Sequence, residues 1–148
     1  MNKKLFVTIA VAAAVYFGLG QRFAPPPEAP TTATSNSASQ SPLLNAIAEK
    51  RSGVQVVGQG KVFKLLTDDY KGSRHQRFLI ELAGGQTLLV AHNIDLAPRL
   101  NQLNTGDTVD FNGVYEWNAQ GGVIHWTHHD PAGRHEAGWL KHNGKTYQ

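Results

Sequence analysis

Gly106-Asp107-Thr108-Val109-Asp110-Phe111-Asn112-Gly113-Val114-Tyr115-Glu116-Trp117 is the stretch whose pattern decides the fold. Glycine followed by aspartate marks a tight turn. Val109, Phe111, Gly113, Tyr115 and Trp117 then recur at every second position, the period of a strand with one buried face. A glycine among large apolar residues lets such a strand coil strongly. That combination is what the fourth strand of a small closed barrel needs.

Working back toward the N-terminus, residues 86–92 and 74–82 read as two more strands, joined at Gly84-Gly85. In the earlier one Phe78, Ile80 and Leu82 share a face, and His75, Arg77 and Leu79 share the other. Residues 54–66 read as a long first strand, with Gly58 and Gly60 predicting a bulge or a sharp bend. Residues 94–104 are irregular or briefly helical around Pro98. On the other side, 118–122 turn the chain and 123–127 return as a fifth strand. Asn143-Gly144 is a two-residue hairpin signal between 139–142 and 145–147. The expected class is therefore all-β with one short helix: a small OB-like five-stranded barrel. A β-sandwich is the alternative.

The N-terminal region has another character. Met1 to Lys4 is basic, and residues 5–20 carry no charge. Sixteen uncharged residues suit a long signal-peptide core or a short membrane span. Residues 1–23 are thus expected to be a signal peptide cut near Gly18-Leu19-Gly20, or an uncleaved membrane anchor with Lys3 and Lys4 on the cytoplasmic side. Residues 24–41, rich in Pro, Ala, Ser and Thr, are expected to be a disordered linker. Ser41-Pro42 reads as an N-cap and first helical residue. Leu43, Leu44, Ile47 and Ala48 would share one face of a helix ending near Ser52-Gly53. The folded domain is placed at 42–148, exported to the periplasm, soluble or anchored to the inner membrane.

Composition narrows the function. The 148 residues contain no cysteine, which excludes disulfides, thiolate metal sites and a thiol nucleophile. The formal charge is +3, but beyond Glu28 there are 11 basic and 10 acidic residues, thinly spread. A nucleic-acid binder normally carries a concentrated basic footprint. Nucleic acid is therefore not the expected partner.

The densest polar region is 115–139, with all three tryptophans and four of the seven histidines. His128, His129, Asp130 and His135 are candidate ligands for a divalent metal such as zinc. Neighbouring ligands on a strand lie about 6.6 Å apart at i and i+2. No two histidines have that spacing, so a site requires the strand to end near Thr127 and the chain to curl. Hydrolysis could use His129-Asp130, or His92 with Asp95, to activate water. No nucleophile elbow accompanies them, and Asp68-Asp69 reads as a solvated turn. Trp126, expected opposite Gly113, reads as core.

His75-Gln76-Arg77-Phe78, the run from Thr87 to Arg99 and Gly121-Gly122-Val123-Ile124-His125-Trp126-Thr127-His128-His129-Asp130-Pro131 resemble a bacterial family catalogued as domain of unknown function 3465. The resemblance covers roughly residues 58–148. It implies an exported, single-domain bacterial protein and carries no activity, substrate or catalytic residue.

The expected function is binding. OB-type barrels bind oligomeric ligands across strands two and three. Here His75, Arg77, His92, Asn93 and Trp139 are the candidate contacts, and an envelope glycan, peptide or protein is the expected partner. The alternative is a metal-dependent hydrolase built on the cluster from His125 to His135.

Overall fold

The computed structural model describes residues 36–148. The expected signal or anchor segment, and the linker as far as residue 35, lie outside the described residues. Helix α1 spans Asn36–Ala48. It begins five residues before the expected cap at Ser41, and Pro42 lies inside it. The Ser-Ala-Ser-Gln run before Pro42 contains no residue that bars a helix; the proline itself removes one backbone donor and crowds the carbonyl four residues earlier. Leu43 and Ala46 are buried and Ile47 is partly buried against the core, whereas Leu44 and Ala48 face solvent. The buried stripe is thus i, i+3, i+4 counted from Leu43, and the expected placement of Leu44 and Ala48 is corrected. The helix ends in a Schellman turn: Lys50 N–H donates to Ile47 O (3.2 Å) and Arg51 N–H to Ala46 O (2.9 Å). Lys50 takes the left-handed conformation that this turn requires (φ 54°).

Seven strands follow: β1 Val54–Leu65, β2 His75–Glu81, β3 Thr87–Asn93, β4 Thr108–Glu116, β5 Val123–His125, β6 Trp139–His142 and β7 Lys145–Tyr147. The sheet runs β1-β2-β3-β5-β4-β6-β7, and β1 also pairs with β4. That extra pairing closes β1, β2, β3, β5 and β4 into a five-stranded barrel and removes the sandwich alternative. All pairings are antiparallel except β3 with β5. This is the OB-type arrangement.

Closure depends on β1 serving both sides. It pairs with β4 from Val54 to Lys61 and with β2 from Lys61 to Leu65. Gly58 and Gly60 sit just before this change of partner, as a sharp bend requires. The register irregularity falls instead at Phe63, between Val62 and Lys64. The two glycines make room: a Cβ on Gly58 would stand 2.6 Å from the Phe111 ring, and one on Gly60 2.9 Å from Ile80.

The core holds Val56, Phe78, Ile80, Leu88, Val90, Val109, Phe111, Tyr115 and Ile124 from the barrel strands. Leu43 of α1, Leu100 and Leu103 of the β3–β4 connection, and Leu140 and Tyr147 of the last hairpin join it. The alternation expected for β2 and for β4 as far as Tyr115 is observed, while Trp117, past the end of β4, is exposed. The β6–β7 hairpin turns through Asn143 and Gly144, both with positive φ (49° and 75°). It continues the sheet beside β4 through Asp110, Phe111 and Asn112.

Candidate functional site

A groove crosses the outer face of β2, β3 and β5. Outward positions on these strands are set by the same alternation that buries Phe78, Val90 and Ile124. The groove's central section, about 370 Å³, is lined by Asp69, His75, Arg77, Leu89, Ala91, Glu116, Val123 and His125. A second section of about 290 Å³ shares His75, Ala91 and His125 and continues to Ser73, Asn93, Leu96, Trp126 and His128. A third, about 300 Å³, shares Leu89 and runs toward Leu79, Thr87, Asn118, Gln120 and Gly122. The floor of the central section is aliphatic: Leu89, Ala91 and Val123. Its rim is polar and carries both signs of charge.

Each rim group has a defined partner. The Arg77 guanidinium donates from Nε (3.1 Å) and Nη2 (2.9 Å) to Thr67 O. Asp69 exchanges both backbone hydrogen bonds with His75, each 2.9 Å, and its carboxylate accepts from Lys71 N–H. That backbone hydrogen bond, more than nearby Arg77, holds the Asp69 carboxyl below the usual range. His75 Nδ1 donates to Ser73 O at 2.8 Å, which leaves Nε2 available. His125 Nε2 lies 3.4 Å from Glu116 Oε1. Burial pushes the His125 imidazole down despite that carboxylate, so it is neutral at pH 7.

Two expected contacts, His75 and Arg77, therefore line the central groove, and Asn93 lines its second section. His92 does not, because it points into the barrel end and is fully buried. Its Nε2 donates to Pro98 O (3.1 Å), and its Nδ1 faces the Thr127 hydroxyl at 2.8 Å. Burial depresses its pKa to about 4, so the ring is neutral and Nδ1 accepts from Thr127. His92 and Asp95 do not pair, since the Asp95 carboxylate accepts from Arg74 N–H and Nε. Trp139 is half-buried on β6 with Lys141 Nζ 4.4 Å from its ring centroid, and it lines none of the three groove sections.

The expected metal ligands have other roles. β5 stops at His125, and Trp126 adopts a left-handed conformation (φ 53°) that breaks the alternation. Trp126 is consequently half-buried at the groove's end, not core, and Thr127 takes the inward place against Gly113. Residues 126–138 then form a closed loop, tied by Gly138 N–H to His128 O at 3.0 Å. Asp130, buried at the loop's centre, accepts from the backbone N–H groups of Ala132, Arg134 and His135. The first of these is the main reason its carboxyl stays below the usual range. His128 is buried with Nδ1 donating to His129 O, and His129 faces solvent. His135 stacks on Trp126, ring centroids 4.0 Å apart. Among the described residues no group of three or more His, Asp or Glu is placed to hold a metal ion. The chain curls as expected, but Asp130 is committed to backbone and His129 faces solvent.

Asp69 caps its own turn, as expected, whereas Asp68 is not solvated: its largely buried carboxylate pairs with Arg99. Sequence reasoning missed Glu116, Leu89, Ala91 and Val123 in the groove. All are outward strand positions, and the signal was the alternation itself, once β5 is set beside β3.

A family model described as Protein of unknown function (DUF3465) matches residues 29–148, and the chain belongs to that family. No curated protein matches the chain.

Proposed function

We propose that this member of the DUF3465 family is an exported binding module of the bacterial envelope. Its ligand, a glycan, peptide or protein, would lie in the groove across β2, β3 and β5. The observation that carries the reading is the groove itself. An aliphatic floor with a few convergent polar groups is the usual make-up of a binding site. It occupies the face that OB-type barrels use for oligomeric ligands. Export is proposed from the basic start and uncharged run of residues 1–20. Among the described residues no helix is long and apolar enough to cross a membrane.

The test is binding of the purified full chain to arrays of short envelope peptides and glycans. Ala91→Trp should fill the groove floor and abolish binding, with its melting temperature checked against the parent. Lys141→Ala, on the β6–β7 hairpin, should bind as the parent does. Binding that survives Ala91→Trp would overturn the reading. For export, a reporter active only in the periplasm should work when fused after Gln148, and activity of a cytoplasm-only reporter there would contradict it.

A further inference from the structure

We propose that the groove takes an extended peptide with one basic side chain, seated against the Glu116 carboxylate. The inference rests on the groove-binding reading and names its ligand class.

Length is the first argument. The groove follows β3, whose seven residues span about 20 Å at about 3.3 Å per residue. An extended peptide of about six residues has the same length. Lining is the second. Sugar rings and bases are usually held by aromatic faces. The central section has no phenylalanine, tyrosine or tryptophan in its lining. The indole at the groove's end, Trp126, already has His135 stacked on it. Leu89, Ala91 and Val123 instead offer shallow aliphatic contacts of the kind that alternate side chains of a peptide fill.

Charge is the third argument. Arg77 and Asp69 face each other electrostatically, and each is also held by backbone groups. Glu116 has no such counter-charge. Its nearest polar partner is His125, at 3.4 Å, and burial keeps that ring neutral at pH 7. No lysine or arginine among the described residues pairs with Glu116. The groove therefore carries one uncompensated negative charge beside an aliphatic floor. A lysine or arginine side chain of the ligand would supply the missing cation, and a phosphate-bearing chain would be repelled.

The experiment is calorimetric titration of the full chain with three probes. The first is a blocked hexapeptide of alanine and valine with lysine at its third position. The second has glutamate in place of the lysine. The third is a tetramer of β-1,4-linked N-acetylglucosamine. The lysine peptide should bind at least about tenfold more tightly than the glutamate peptide, as attraction replaces repulsion in a partly exposed pair. Glu116→Gln, at a partly exposed position, should fold normally and bring the two peptides within about threefold of each other. Ala91→Trp should abolish binding of both. Equal affinities in the parent, no binding of the lysine peptide, or an unchanged preference in Glu116→Gln would overturn the inference. Binding of the tetrasaccharide alone, lost in Ala91→Trp, would overturn the peptide class but keep the groove as the binding site. Binding of any probe that survives Ala91→Trp would overturn both.

Discussion

His92 Nδ1 and the Thr127 hydroxyl, 35 residues apart in the chain, meet at 2.8 Å inside the barrel and join β3 to the segment that leaves β5. The contact requires neutral imidazole as acceptor, and burial keeps the ring neutral down to about pH 4.

Mild acid should therefore weaken the fold. In the unfolded chain His92 takes up a proton near pH 6.5, whereas the folded ring resists until about pH 4. The unfolded state binds more protons between these values, so stability is present above pH 6.5 and falls as pH drops toward 4. The full contribution is about 3 kcal/mol. His125, also pushed down, adds in the same direction. The lowered carboxyls of Asp69, Asp95, Asp107 and Asp130 act in the same sense, but below about pH 4. Denaturant unfolding of the parent and His92→Gln between pH 7.5 and 4.5 checks this. The variant should show the shallower pH slope, and equal slopes would contradict the assignment.

Phe111→Ala should cost about 3–5 kcal/mol, the range for deleting a buried aromatic. Gly58→Ala should cost about 1–3 kcal/mol, because its Cβ meets the Phe111 ring at 2.6 Å. The two positions touch, so the double substitution Gly58→Ala with Phe111→Leu should cost less than the two single losses combined. Strict additivity in denaturant unfolding would show that the ring does not occupy the glycine's space.

Asp130→Ala should loosen residues 126–138. It leaves the N–H groups of Ala132, Arg134 and His135 without their acceptor, for a loss of about 1–3 kcal/mol. Hydrogen exchange at those three amides should accelerate while the barrel amides stay protected. Unchanged exchange would mean the loop holds without its central carboxylate.

Zinc and EDTA should leave the melting temperature of untagged protein unchanged, since Asp130 is already committed and His128 is buried. A rise with zinc that vanishes in His128→Ala or His129→Ala would restore the metal reading.

The barrel was legible in the sequence because alternation in β2 and β4 is nearly free of interruption. Phe78, Ile80, Val109, Phe111 and Tyr115 go where period two sends them. His92 was legible by the same rule, two steps from Leu88 through Val90 on the buried side, but its polarity suggested a surface role. Trp126 could not be read that way. One left-handed residue at 126 shifts the alternation, and nothing about a tryptophan announces positive φ. The groove was half legible. His75 and Arg77 follow from β2 alone, whereas Glu116 and His125 join them only through the register of β4 with β5 and of β5 with β3.

The division of β1 between two partners also constrains the order in which the barrel can assemble. Its second part can pair early, with β2 only a short loop away. Its first part waits for β4, whose partners lie 47–61 residues further along the chain. Such distant pairings carry a large loop-closure cost before any reward, and they slow folding. A chain truncated before Thr108 lacks the strand that closes the barrel, and the apolar side of Val56 then has no β4 to cover it. During synthesis the domain stays open until β4 has emerged.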